Sequence, residues 1–497
     1  MATQRLQGGS LSPHSAASSQ TKRARSRASN DGGSSAGPDS QPPLKRMQVS
    51  RACSRCKRMQ KGCSEHRPCQ RCIRAGLADE CSDMPPLSDT VVGSHTLAHH
   101  RGLPPPEVID LCVGRFFAQL CPTIPILTED YVQSLRLRAE SPELGWESYG
   151  TIIALCAMVL LQVEAPDRFS FEGIIPQSNS EYGRLLFDEA TEVYHRVHQN
   201  SSPCFDHVLL TFFIYACHAS LFHHSRAFIF LREATTLLLL FRPENEDARA
   251  RALSERLFWV LLISERSHAI RYRRPVTLQI TPDTPVPHPD SSLAGFWNLA
   301  ALFRPLDTAF IALLNRETLA PAPLSATAAS LNHIEAAVGA AFDDAAEEGL
   351  RDTQKANLRV TQLWLRIVLW QLRLRLGHLS SSSSGATGPP RPASLTYRYP
   401  LEVAREAALS TRDLPLSCIR VHGVGLTEKL FDIACAVADV LARVPLERED
   451  GTPYVGGRPE DDLRYLRRMI ALLPGGDAVY NDLLLKHIQL TLPGMEI

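Results

Sequence analysis

Six cysteines fall within a basic stretch, RACSRCKRMQKGCSEHRPCQRCIRAGLADEC, which runs from Arg51 to Cys81. Their spacing is Cys53-x2-Cys56-x6-Cys63-x5-Cys69-x2-Cys72-x8-Cys81, two similar halves that each open with C-x2-C and add a third cysteine. Clustered thiols at such spacing are metal ligands of the kind zinc prefers, and zinc takes four of them in a tetrahedron. Two zinc ions need eight ligand places and six thiolates fill six, so the sum closes when two thiolates each bridge both ions. The pseudo-symmetry of the halves makes the first cysteine of each, Cys53 and Cys69, the bridging pair. The alternatives are a single zinc on four of the cysteines with two spare thiols, or three disulfides. A segment this short cannot fold on its own apolar burial, so bound metal would supply its folding free energy.

The charge around the thiols is as distinctive as their spacing. Residues 51–74 carry Arg51, Arg55, Lys57, Arg58, Lys61, Arg67, Arg71 and Arg74 against one acid, Glu65. Two Zn2+ with six thiolates add −2, which leaves a surplus of about +5 on a very small surface. That density favours phosphate contacts and counterion release, and Arg or Lys on a helix can also reach guanine O6 and N7. The asymmetry extends to the whole chain of 497 residues. Net charge is zero, yet residues 1–81 hold 15 Lys/Arg against 5 Asp/Glu, and the remainder is acidic by the same margin. A basic end on an acidic body is suited to a polyanion.

The segment resembles the zinc binuclear cluster domain of fungal transcription factors, the class of the yeast galactose-pathway regulator. Pro68 sits where such domains commonly place a proline between the halves. In the family each C-x2-C opens a short helix, and the first enters the DNA major groove by its C-terminal end. By position that helix is Arg55-Cys56-Lys57-Arg58-Met59-Gln60-Lys61. The family usually has a lysine four residues after the second cysteine, reading the guanines of a CGG-type half-site; here that place holds Gln60, with Lys61 beside it. Gly62 stands at another commonly basic position. Gln prefers the adenine edge in the simplest pairing rules, so the half-site is expected to depart from the usual one. The resemblance implies zinc ligation by Cys53, Cys56, Cys63, Cys69, Cys72 and Cys81. It implies DNA contacts from Arg51, Arg55, Lys57, Arg58, Gln60, Lys61, Arg67, Arg71 and Arg74.

Residues 1–50 are rich in Ser, Gly and Pro and almost free of large apolar side chains, the composition of a disordered arm. Lys22, Arg23, Arg25, Arg27, Lys45 and Arg46 within it are candidates for nuclear import, or for a solvated charge run. No apolar signal stretch opens the chain, and the longest apolar run, residues 151–163, is too short for a span of about 20 residues. The expectation is a protein that is not exported and meets no membrane, with reduced cysteines. The domain organisation expected is the arm (1–50), the cluster (51–82), a linker (83–106) without a coiled-coil heptad, and an all-α regulatory body (107–497). A Ser/Gly/Pro loop near 380–394 interrupts the body.

Helical periodicity dominates from Glu107 onward. Val108, Leu111, Cys112 and Phe116 make one stripe, Thr128 is a candidate N-cap followed by Glu129 and Asp130, and 151–163 reads as a buried helix. Further helices are expected near 181–198, 204–222, 225–241, 246–271, 293–316, 353–377, 399–411, 426–443 and 459–473. Residues 103–127 and 254–278 resemble the middle homology region that follows these clusters. The second stretch is similar to fungal sugar-pathway regulators of the amylolytic type, through Leu257-Phe258-Trp259, Ser264-Glu265-Arg266 and Arg274-Pro275. Arg266, Arg271, Arg273 and Arg274 read as a solvated helix end, with an anion-sensing site as the sharper alternative. Arg359, Arg366 and Arg373 read as one exposed face. His218, His223 and His224 read as core or surface histidines rather than metal ligands, and 475–485 as an amphipathic helix.

No GxxxxGK[ST], HExxH or GxSxG is present, and GVGLTE (423–428) lacks the third glycine and preceding strand of a nucleotide site. An enzyme is not expected. The reading is a nuclear, sequence-specific regulator of RNA polymerase II genes, an activator for a secondary-metabolite gene cluster or for carbohydrate utilisation. Its expected partners are two Zn2+, double-stranded DNA with CGG-like half-sites, the transcription machinery and, as an open alternative, a second copy in a homodimer. The competing reading is a zinc-thiolate protein-interaction module on a helical scaffold.

Overall fold

The structure is a computed structural model. It describes Cys53, Arg55, Cys56, Met59, Lys61, Cys63, Cys69, Arg71 and Cys72, then residues 102–140, 145–162, 178–200, 203–241, 248–281, 284, 291–316, 324–342, 347–380, 392–445 and 458–495. The arm with its import candidates, Arg51, Lys57, Arg58, Gln60, Arg67, Arg74, Cys81, residues 83–101 and the loop at 381–391 lie outside the described residues. The chain divides into two units, residues 1–92 and 93–497.

In the second unit the helices run, in chain order, α1 (Pro106–Arg115), α2 (Glu129–Ala139), α3 (Trp146–Gln162), α4 (Asn179–Asn200), α5 (Phe205–Ser220), α6 (His224–Leu240), α7 (Ala248–Tyr272) and α8 (Ala294–Phe303). They continue as α9 (Thr308–Asn315), α10 (Leu324–Ala340), α11 (Asp352–Leu376), α12 (Tyr399–Arg412), α13 (Leu416–Arg420), α14 (Val424–Arg443), α15 (Pro459–Leu472) and α16 (Asn481–Thr491). Among the described residues there is no β-strand, only an isolated parallel bridge between Ser380 and Thr396. No single described helix is long and apolar enough to cross a membrane.

Local chemistry accounts for several of these boundaries. Proline at the first position of α1 fixes φ where an N–H would be left over. Thr128 caps α2, its side chain accepting from Tyr131 N–H at 3.3 Å, with Glu129 and Asp130 on the positive end of the helix dipole. α3 is buried at every residue from Ser148 to Leu160, so it is a central rod and not an amphipathic surface helix. Gly150 lets α4 and α5 close on it: a Cβ there would meet Val193 Cγ1 at 2.8 Å and Leu210 Cδ2 at 3.0 Å.

The structure differs from the sequence pattern in places. The helix expected across 293–316 is two helices, α8 and α9, bent by 54°. Pro305 is the cause, since it has no N–H to donate within a helix, and α8 ends at Phe303 just before it. Segment 475–485 is a π-turn, Gly476–Tyr480, that leads into α16. The solvated-end reading fails for two arginines. Arg266 is fully buried, with Nε and Nη2 donating to the carbonyls of Leu306 (3.0 Å) and Leu278 (2.9 Å). Arg271 is held between Asp432 (2.6 Å) and Glu428 (3.3 Å) on α14. Arg273 is exposed, as expected.

The seven-residue arginine stripe of α11 is not solvent-facing either. Arg373 is buried on Glu335 at 2.9 Å, Arg359 pairs with Glu347 at 2.6 Å, and Arg366 pairs with Glu406 at 2.6 Å. Acids from neighbouring elements cover the stripe. The histidines are packed as expected: His218 is buried and stacks on Phe230, with its Nδ1 3.1 Å from that of His223.

Candidate metal centre and nucleic-acid interface

In the first unit the sulfurs of Cys53, Cys56, Cys69 and Cys72 lie within 4.8 Å of one another, and all four residues are fully buried. Cys53 Sγ is 3.8 Å from Cys72 Sγ, and Cys56 Sγ is 3.7 Å from Cys69 Sγ. Two ligands of one tetrahedral zinc, each at about 2.3 Å, stand about 3.8 Å apart, so both spacings match the edge of a zinc tetrahedron. Both edges also join one half of the cysteine pattern to the other. Cys63 belongs to the same group, its sulfur accepting from Cys53 N–H at 3.5 Å.

The backbone positions these thiols through short helical turns. Arg55–Cys56 and Arg71–Cys72, at the second cysteine of each C-x2-C, have helical backbone. Cys56 N–H points at Cys53 Sγ at 3.4 Å, so the positive end of the first turn faces sulfur. That turn continues through Met59 N–H to Arg55 O and widens at Lys61 N–H to Cys56 O, both at 3.0 Å. Lys61 therefore closes the C-terminal end of the turn and is exposed, as are Met59 and Arg71.

Arg55 has a contact that sequence reasoning missed. Its Nη1 lies 3.7 Å from Cys72 Sγ, so a first-half guanidinium screens a second-half sulfur. The signal available in the sequence was only its place beside Cys56. A cation against a thiolate cluster lowers the energy of the charged form.

The thiols by themselves divide protons unevenly. Burial, then the thiols of Cys53 and Cys69, push Cys56 well up. Burial pushes Cys69 up as well, but the backbone N–H of Cys72 and hydrogen bonds from Cys72, Cys56 and Cys63 outweigh it and bring Cys69 down to about 5. A dication removes that conflict by stabilising every thiolate, so the donor set fits zinc. Among the described residues, these four cysteines are the one group of three or more His, Cys, Asp or Glu side chains that converges on a metal-sized space.

Residues 51–90 match the family model of the fungal Zn(2)-Cys(6) binuclear cluster domain. The chain carries that two-zinc domain. Similarity also reaches past the cluster domain. A probable sucrose utilization protein of Candida albicans is 22% identical over 251 residues, 48% of this chain and 47% of that protein. A respiratory transcription factor of Saccharomyces cerevisiae is 22% identical over 350 residues, 68% of this chain and 70% of that one, a span that must include the helical body. A transcription activator of gluconeogenesis from Fusarium vanettenii is 49% identical over 47 residues, 9% of this chain and 7% of its own. The match to the first of these spans about half its length. No solved structure matches the chain.

Proposed function

We propose that the chain is a nuclear, sequence-specific regulator of RNA polymerase II genes and not an enzyme, with residues 51–82 binding promoter DNA, 83–106 as linker and 107–497 as the regulatory body. The observation that carries the reading is the pair of sulfur–sulfur edges that cross between the halves. Cys53 and Cys69 each stand one tetrahedral edge from the second cysteine of the opposite half, which is what a bridging ligand must do. We assign the two ions to Cys53, Cys56, Cys63 and Cys69 and to Cys53, Cys69, Cys72 and Cys81. The turn from Arg55 to Lys61 would then present its C-terminal end to base edges. Arg51, Arg58, Arg67, Arg71 and Arg74 would take phosphates, and Lys57, Gln60 and Lys61 would read bases or flank them.

Activation of carbohydrate-utilisation genes is the finer proposal. It is supported by the names of the sucrose and gluconeogenesis relatives, one matched over 48% of the chain and the other over 47 residues. The test is binding of the zinc-loaded full chain to duplex DNA as a function of salt. With roughly five to eight phosphates neutralised, log K should fall against log salt with a slope of about −4 to −7. A slope near zero would favour a zinc-held protein-interaction module instead.

A further inference from the structure

In the helical body, α5, α6, α7, α11 and α14 line a partly open pocket of about 250 Å3. At roughly 30 Å3 of liquid volume per water, that holds about eight waters or an organic molecule of similar size. Phe212, Val260, Ile263 and Leu299 supply apolar wall. The polar groups are unevenly satisfied, and that unevenness identifies what is missing.

The acids at the pocket are already engaged. Glu428 accepts from Tyr272 Oη at 2.7 Å and from Tyr480 Oη, and lies 3.3 Å from Arg271. Asp432, behind it on α14, is held by Arg271 at 2.6 Å and by Trp364 Nε1 at 2.9 Å. The pocket cation Lys429 has no such partner. Its Nζ donates to Thr361 Oγ1 at 2.7 Å and lies over the Trp364 ring, and among the described residues no carboxylate is within ion-pair distance. Burial draws the lysine down to about 8, and the Glu428 carboxylate nearby offsets only part of that. His422 donates from Nε2 to Thr353 O at 2.7 Å, because a carbonyl can only accept, which leaves its Nδ1 as an acceptor.

A second feature converges on the same space. α14 begins at Val424 with Gly423 as its cap, and no side chain caps its first turn. Gly423 has φ +63°, a conformation that favours glycine, and its Cβ position is already 3.3 Å from Gln162. Val424, Gly425 and Leu426, which carry first-turn N–H groups with no intrahelical acceptor, all line the pocket. A helical side chain leans toward its own N-terminus, so Lys429 inclines toward those amides. Leftover amides at the positive end of a 20-residue helix, beside an ammonium with no carboxylate at ion-pair distance, form a site for one negative charge.

We propose that this pocket binds a small hydroxylated organic carboxylate, its carboxylate between Lys429 and the first turn of α14. The hydroxyl groups of the ligand would meet Ser267 and His422 Nδ1, and the aliphatic part the apolar wall. Ligand occupancy would then tie α14 to α11 through Lys429 and its Thr361 contact.

The experiment uses the zinc-loaded full chain and matched acid–neutral pairs of one carbon skeleton, glycerate beside glycerol and gluconate beside glucose. Binding is read by calorimetric titration and by the rise in unfolding temperature that ligation produces. At least one acid should bind while its neutral counterpart does not. Lys429→Met, which keeps the stem and removes the charge, should weaken the acid about tenfold or more. Lys429→Gln keeps a donor for Thr361 and provides the same reading if the methionine variant does not fold. Silence from both acids, equal binding of an acid and its neutral counterpart, or wild-type affinity in the charge-free variant would each overturn the proposal.

Discussion

Glu265→Gln changes one atom, and the structure says that it should be among the more damaging single substitutions in the helical body. Glu265 is fully buried. Its Oε1 accepts from Arg232 Nη1 at 3.0 Å and Thr277 N–H at 2.7 Å, and its Oε2 accepts from Leu278 N–H at 2.9 Å. Glutamine keeps one acceptor oxygen and turns an NH2 toward one of those donors. The substitution also takes the nearest counter-charge from Arg266, whose Nη1 is 3.7 Å from Oε2 and whose side chain is equally buried. Each hydrogen bond to a charged group contributes about 1.5–3 kcal/mol, but only part of the three is lost, because one oxygen remains. Breaking a buried pair from one side costs about 3–5 kcal/mol, mostly the uncompensated charge left behind. Losing one or two of the three costs about 1.5–6 kcal/mol, a range that contains the broken-pair figure, so a loss of about 4 kcal/mol is expected. Urea denaturation followed by tryptophan fluorescence and far-UV circular dichroism measures it. The double variant Glu265→Gln/Arg266→Met should be less destabilised than the single one, because the stranded cation has gone. A single-variant loss below about 1 kcal/mol, or a double variant worse than the single, would refute the buried-charge reasoning.

Metal stoichiometry should be two zinc ions per chain, and Cys53→Ala or Cys69→Ala should release both, measured by elemental analysis after gel filtration; Cys81→Ala should retain part of one ion. Gln60→Lys should tighten binding to a CGG half-site in a competition assay over half-site variants, by the ~1–3 kcal/mol of a well-made base contact, and unchanged preferences would show that residue 60 does not face the bases. Burial holds His268 and His422 neutral, each down to about 4, whereas the unfolded chain takes up protons below about 6.5. Their folded pKa is the depressed one, so stability should fall as pH drops from 7 to 5, on the order of 1–2 kcal/mol per histidine, and His268→Phe should flatten that loss.

Much of the fold was legible because it rests on local chemistry. Thr128 followed by two acids reads directly as a helix start, and the unbroken apolar run at 151–163 reads as a buried rod. Pro305 was equally readable, but apolar spacing carried the pattern across it. α10 escaped because its Ala- and Ser-rich sequence has a weak stripe, and its position depends on packing against α11. Arg373 shows the limit more sharply. Heptad spacing says that Arg359, Arg366 and Arg373 share a face, yet whether that face meets water depends on Glu335 and Glu406, far away in sequence. The cysteine site was legible because covalent spacing and ligand number constrain it together. The pocket was not, since Gly423 stands in a glycine pattern with no nucleotide site and Lys429 in an ordinary expected helix, and their meaning arises from helices brought together by the fold.

The two sulfur edges that cross between halves have a consequence for metal supply. An ion placed on either edge, Cys53–Cys72 or Cys56–Cys69, draws thiolates from both halves at once. The first ion to arrive therefore bears the entropy of closing the intervening loop, and the second finds its thiolates already gathered. Uptake should be steep in free zinc, with half-loaded chains scarce at every concentration. A cell that withdraws zinc would empty the domain over a narrow range, so metal availability would act on this protein as a threshold and not as a graded control.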